Sequence, residues 1–152
     1  MPHVKVSDIA YGRLRVPDLD VMEEFLTRFG MMRSERTANA LYMRGTDPAH
    51  HLHISEKGDP KFIGLAYYVD DEDDLKRAAK APGATGIETI DEPGGGKRVR
   101  LTEPNGYQIE VVCGIASVKP IDVKRQKLNS GELPTARAGE LMRLPSITDW
   151  RD

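Results

Sequence analysis

Cysteine is nearly absent from this chain. The lone Cys113 cannot close an intrachain disulfide, and its place at an apolar strand end reads as buried filler rather than as a nucleophile. No apolar run approaches the ~18 residues of a membrane-spanning helix, and the opening Met1-Pro-His-Val lacks the basic and apolar regions of a signal peptide. A cytoplasmic protein with no membrane partner is the default expectation. Excess charge is missing as well: a net charge of -2 and a pI near 6.1 exclude a general nucleic-acid or anionic-membrane binder. A phosphate loop is also lacking, because Gly94-Gly-Gly-Lys97 does not have GxxxxGK[ST] spacing and sits between strands, where a flexible hairpin is expected.

What is present suits one core. With 39% hydrophobic residues over 152 positions, the chain can bury one globular domain but not two large ones. The domain is expected over residues 8–116, followed by an extended arm or interdomain linker over 117–152, where the strand pattern stops and Pro120, Gly131, Pro134 and Gly139 interrupt a lysine- and arginine-rich stretch. Leu141, Leu144, Ile147 and Trp150 are candidates to anchor that arm by docking. Such an arm also suits a chain that continues into a second domain.

An internal repeat organises the rest. Arg44, Thr46, Asp47 and Pro48 match Arg100, Thr102, Glu103 and Pro104 at an offset of 56. With one residue then dropped, Leu52 and Ile54 align with Ile109 and Val111, and His53 falls where Glu110 does. Upstream, the strand Tyr11–Val16 and a capped amphipathic segment ending at Gly30 are echoed by Gly64–Val69 and a segment ending at Gly83, at an offset of 53. The difference, 56 − 53 = 3, is assigned to a longer glycine loop in the second copy. Each copy reads strand, helix, strand, strand, strand.

The first helix is predicted to open with a capping box, Asp20 with Glu23, and to carry an apolar stripe of Val21, Met22, Phe25, Leu26 and Phe29 up to Gly30. The acidic run Asp70–Asp74 reads as the start of the second helix, where acids complement the macrodipole, rather than as a cation site. Glu103-Pro-Asn-Gly106 has turn chemistry, and the alternation after it puts Ile109 and Val111 on one strand face and Gln108 and Glu110 on the other. The expected core includes Leu14, Val16, Phe25, Leu65, Leu101, Ile109 and Val111.

The tandem copies, the Arg15-Val-Pro-Asp-Leu-Asp20 helix entry and the Glu103-Pro-Asn-Gly-Tyr-Gln-Ile-Glu110 ending together resemble the vicinal oxygen chelate superfamily of glyoxalases, bleomycin-resistance proteins and type I extradiol dioxygenases. Asn39-Ala-Leu-Tyr-Met-Arg44, His50-His51 and the proline-containing arm look most like the amino-terminal domain of an extradiol dioxygenase. The resemblance implies an α+β fold in which two βαβββ modules form a curved eight-stranded cup with helices outside. It implies a divalent metal in the cup, Fe(II) in extradiol enzymes, at positions matching Tyr11, His53 or its neighbour His51, Gly64 and Glu110. Catalytic members carry histidine at the first and third of these, so of an extradiol triad only Glu110 survives and no cofactor is firmly expected.

Glu110, His53 and His51 are the candidate metal ligands. Tyr11, Arg13, Tyr42, Tyr68, Arg98 and Arg100 are the candidate ligand-binding lining, which mixes aromatic surface with positive charge and suits an aromatic or carboxylated small molecule. Arg13, Arg98 and Arg100 equally suit neutralising Glu110. Two functions stand side by side: a metal-free domain of an extradiol dioxygenase-like protein partnered by a second similar domain, and a homodimeric binding module of bleomycin-resistance type. A glyoxalase- or epimerase-like metalloenzyme is disfavoured by Tyr11 and Gly64.

Overall fold

The structure is a computed structural model that describes residues 4–123. The expected arm from 124 onward, with its docking residues Leu141 to Trp150, lies outside the described residues. The elements follow in the order β1 (Val6–Val16), α1 (Leu19–Phe29), β2 (Met32–Arg36), β3 (Ala40–Arg44), β4 (His53–Lys57), β5 (Lys61–Val69), α2 (Glu72–Ala78), β6 (Glu88–Thr89), β7 (Lys97–Thr102) and β8 (Gln108–Cys113). The two βαβββ copies are therefore real. Their strands form one open sheet in the order β2-β3-β4-β1-β5-β8-β7-β6. β1 and β5 meet antiparallel at the centre, while β1–β4 and β5–β8 run parallel. This is the expected α+β cup.

Local chemistry explains the helix ends. Asp18, not Asp20, caps α1, because its carboxylate accepts from the backbone N–H groups of Asp20 and Val21 at 2.8 and 3.2 Å. Gly30 closes the helix at φ 110°, a left-handed conformation that glycine adopts without a Cβ penalty. At α2 the acidic run behaves as helix-start chemistry: Asp71 is the cap, and Asp74 accepts from the Lys5 amide at 3.0 Å and pairs with Arg77. The Glu103–Gly106 turn forms as expected, closed by the Gly106 amide on the Glu103 carbonyl at 2.8 Å.

Apolar clusters form on both faces of the sheet. Under α1, Val16, Leu19, Leu26, Leu41 and Met43 pack together; under α2, Val69, Leu75, Ala78, Val99 and Val111 do so, with Leu101 and Cys113 at their margin. On the concave side, Ala10, Tyr11, Tyr42, Ile54, Ala66, Ile90 and Val112 form a third cluster. Of the expected core, Val16 and Val111 are buried and Leu14, Leu65, Leu101 and Ile109 half-buried. Phe25 is a correction, for it stands 59% exposed. The sheet takes the stripe Leu19, Met22 and Leu26, whereas Val21, Phe25 and Phe29 repeat every four residues along an adjacent stripe that turns outward. The apolar arc of α1 is wider than the face the sheet covers.

A second correction concerns register. In the sheet Gly12 pairs with His53 and Leu65 with Ile109, so the offsets are 65 − 12 = 53 and 109 − 53 = 56, with no residue dropped. Ile54, not His53, therefore occupies the place of Glu110. Residues 117–121 lie along the β3–β4 loop, where the amides of Val118 and Ile121 donate to the carbonyls of Pro48 and Thr46 at 2.9 and 2.8 Å.

Candidate functional site

Strand alternation places Tyr11 and Arg13 of β1, Arg98 and Arg100 of β7, and Gln108 and Glu110 of β8 on the concave face, and registry brings them together. Glu110 lies at the centre, 2% exposed. Its Oε2 accepts the Tyr11 hydroxyl and its Oε1 the Gln108 amide. Arg13 Nε stands 3.4 Å from Oε1 and Arg98 Nη1 3.8 Å from Oε2.

Arg13 is the hub. Its Nη1 donates to Glu56 at 2.7 Å and its Nη2 to Glu92 at 2.8 Å, while its Cζ lies 5.5 Å from the Tyr11 ring centroid. Glu92 spends its other oxygen on Arg98 at 2.7 Å. Arg98 and Arg100 both reach Glu88, at 3.3 and 2.9 Å. Four arginines (13, 15, 98, 100) thus meet four glutamates (56, 88, 92, 110), and the positive charge expected of this lining is cancelled. These groups surround a polar cavity of about 210 Å³.

The electrostatics follow from burial against pairing. Burial alone lowers the Arg13 pKa, yet the charges of Glu110 and Glu92 outweigh it and the net shift is upward. Tyr11 is raised by burial and by the adjacent Glu110, so it remains a phenol that donates. Burial and the Glu92 charge push Tyr42 up to about 12. For Glu92, burial acts upward, but Arg13 and Arg98 hold the carboxyl below its ordinary range.

The remaining site residues divide. Tyr42 belongs to the concave cluster and Tyr68 packs at its margin. His51 is also there, 3% exposed, its ring 4.9 Å from that of Tyr11 and 5.4 Å from that of Tyr42. Its Nδ1 faces His50 Nδ1 at 2.9 Å, and its buried Nε2 has no hydrogen-bond partner among the described residues. His53 lies on the opposite face, because its registry partner is Met43, which packs under α1; its Nε2 bonds Ser55 Oγ at 2.7 Å. The two histidines part because β4 begins only at His53, so His51 lies in the preceding loop, where strand alternation does not relate it to His53. The expected pairing of His53 with Glu110 is not formed.

Glu56 and Glu92 were not singled out by sequence reasoning. Glu56 follows Ile54 by two on β4 and so shares its face, a signal available once the registry is known. Glu92 lies in the β6–β7 loop, residues 90–96, which is longer than its counterpart at 37–39 and folds against the first module. A Cβ at Gly94 would meet the His50 ring at 3.2 Å. That loop is a packed lid over the cup's edge rather than a free hairpin.

A divalent metal does not fit this donor set. Glu110 is engaged by two hydrogen bonds and two guanidinium groups, and Gly64, at the third expected ligand position, cannot carry a side chain, since a Cβ there would lie 1.7 Å from the Gln108 carbonyl oxygen. Among the described residues no group of three or more His, Cys, Asp or Glu is arranged to hold a metal ion.

Burial and the neighbouring charges of His50 and Arg13 push His51 down to about 4, so it folds neutral. An unfolded histidine takes up its proton near pH 6.5, so this contribution is complete above pH 6.5 and shrinks as pH falls toward 4, by about 3 kcal/mol in all. Urea unfolding at pH 7 and pH 4.5 is expected to show wild type losing markedly more stability than His51→Phe. Equal losses in the two proteins would remove His51 as the cause.

The fold and its residues define a class. The family model of the Glyoxalase/Bleomycin resistance protein/Dioxygenase superfamily matches residues 2–111, and the chain belongs to that superfamily. Among curated proteins it is similar to the metapyrocatechase of Geobacillus stearothermophilus, 26% identical over 133 residues, 84% of this chain and 41% of that protein. Among solved structures it is similar to a Mn(II)-bound glyoxalase from Novosphingobium aromaticivorans (TM-score 0.72, 22% identity, 79% of this chain and 43% of that one). It is also similar to the homoprotocatechuate 2,3-dioxygenase of Brevibacterium fuscum in complex with 3,4-dihydroxyphenylacetate (TM-score 0.66, 24% identity, 78% and 41%). The chain thus spans under half the length of these relatives. No helix among the described residues is long and apolar enough to cross a membrane.

Proposed function

We propose that this chain is the metal-free domain of an extradiol dioxygenase-like protein, covering residues 8–116, with residues from 117 onward as the arm toward a second domain that holds the metal. The observation that carries this reading is the state of Glu110. The one carboxylate matching a metal ligand is hydrogen-bonded by Tyr11 and Gln108 and neutralised by Arg13 and Arg98. Ring cleavage of this class needs open metal positions for the catecholate and O₂. Here both oxygens of that carboxylate are engaged by protein side chains instead.

The purified chain is expected to retain well under one equivalent of Fe, Mn or Zn after dialysis, and to leave catechol intact in air with added Fe(II). Elemental analysis against a chelator-treated control and absorbance of the ring-opened product measure both. Stoichiometric metal lost on Glu110→Gln, or turnover lost on Glu110→Ala, would refute the proposal.

A second reading, a binding module for an aromatic acid lined by Tyr11, Arg13, Tyr42, Tyr68, Arg98 and Arg100, draws support from the 210 Å³ cavity in so far as Arg13, Arg98 and Arg100 line it, while the three tyrosines do not. Its charge balance favours the first. Saturable binding of benzoate or a phenolic acid, weakened by Arg100→Ala, would reverse that order.

A further inference from the structure

The outer face of the sheet, opposite the cup, carries an apolar groove beside the end of α2. Strand alternation turns Ile109 and Val111 of β8 away from Gln108 and Glu110, and registry sets Leu101 of β7 and Tyr67 of β5 beside them. α2 ends at Ala78, so it covers Val111 but leaves Leu101 and Ile109 half-buried. Ala81, just beyond the helix, and Val6, 48% exposed at the start of β1, border the open space. Its volume is about 770 Å³, inside the ~300–1,000 Å³ range of small-molecule sites. Charge in the groove has one sign. Arg77 and Lys80 border it, and no carboxylate lines it among the described residues. The acids of the first turn of α2 are already matched, Asp73 with Lys76, Asp74 with Arg77 and Glu72 with Lys97. Arg77 is thereby neutralised, whereas Lys80 has no ion-pair partner among the described residues and leaves a positive charge at the rim.

We propose that this groove binds a medium-chain fatty acid, its hydrocarbon chain lying on Leu101, Ile109 and Val111 and its carboxylate meeting the Lys80 ammonium. A mainly aliphatic floor with an unmatched cation at its rim is complementary to a molecule divided in the same way, an unbranched chain ending in an anion. The two halves contribute differently. An exposed ion pair adds little affinity, so the chain supplies most of the binding while Lys80 selects the sign of the head group. Because Ile109 and Val111 face away from Glu110, occupancy of the groove leaves the ion-pair network of the cup in place and is independent of the metal-free reading.

Isothermal titration of the full chain at low ionic strength with dodecanoate, with decanoate and with dodecylammonium as the charge-reversed probe tests it. Wild type is expected to bind one dodecanoate per chain in the micromolar range. Decanoate is expected to bind roughly tenfold more weakly, since each buried methylene is worth a factor of about three. Dodecylammonium is expected to bind about fivefold more weakly than dodecanoate, the scale of an exposed charge contact. Lys80→Glu is expected to reverse that preference while keeping the dependence on chain length. Ala81→Trp, which sets an indole in the groove, is expected to abolish binding of all three probes at an unchanged Tm. If Ala81→Trp lowers the Tm, Val6→Glu, which puts a carboxylate against the chain, is expected to weaken dodecanoate in its place. No saturable binding of dodecanoate, equal affinity of wild type for the two head groups, or binding unaltered in Lys80→Glu and in the groove variants would overturn the proposal. Self-association of the ligand-free chain that Ala81→Trp abolishes would assign the groove to a second copy and overturn it as well.

Discussion

Gly64→Ala is expected to unfold the domain or to destabilise it by more than about 4 kcal/mol, the extreme of single-residue effects. Gly64 stands in register with Gln108 where β5 and β8 run parallel. A Cβ built on it lies 1.7 Å from the Gln108 carbonyl oxygen, 2.6 Å from the carbonyl carbon and 3.0 Å from Cα. All three atoms are backbone, so relief requires splitting β5 from β8 rather than turning a rotamer. Gly64 is not among the positive-φ glycines, so the constraint is closeness of approach and not backbone conformation. Gly12→Ala is the control: its nearest atom is Leu65 Cδ2 at 3.7 Å, an ordinary contact, and stability is expected to change by less than about 1 kcal/mol. Urea denaturation of both variants decides the matter. A Gly64→Ala protein within 1 kcal/mol of wild type would mean that the two strands do not pack as described. The same clash shows why restoring a histidine here cannot rebuild a metal site.

Glu110→Ala is expected to cost about 3–5 kcal/mol, the range for breaking a buried ion pair by removing one partner. The loss has two sources. Arg13 and Arg98 give up part of their compensation, and the buried Tyr11 hydroxyl loses its acceptor. Tyr11→Phe, which removes only the donor, is expected to cost about 1.5–3 kcal/mol, as for hydrogen bonds to charged groups. The two substitutions are expected to be strongly non-additive, since each deletes the same bond. Urea denaturation of the two single variants and the double variant measures the coupling. Additive losses would show that Tyr11 and Glu110 act independently, and a Glu110→Ala protein as stable as wild type would remove the network from the centre of the domain.

Much of this site is local in origin. Tyr11 and Arg13 are two apart on one strand, as are Arg98 and Arg100 on another and Gln108 and Glu110 on a third, so the period of two assigns each pair to one face without further information. The identity of the partner strand is a different kind of information. The missed residues, Glu56 and Glu92, reach Arg13 across 43 and 79 positions of sequence, and no local pattern in their own segments points to it.

While the curved eight-stranded cup was what the family resemblance implied, turn residues, periodicity and the repeat were enough to determine the two βαβββ copies and the face on which Glu110 lies. Those features depend on interactions within a few residues, where periodicity, caps and glycine act directly. The tertiary structure decided three things. It chose which stripe of α1 is buried, leaving Phe25 outside, because the sheet covers only part of the helix's apolar arc. It set the registry of β4 against β1 and β3, and since side chains alternate across a strand, a difference of one residue is enough to carry His53 to the far face and put Ile54 in the place matching Glu110. It also folded the glycine loop over the cup and so delivered Glu92 to Arg13, a contact whose energy exists only once both modules are assembled.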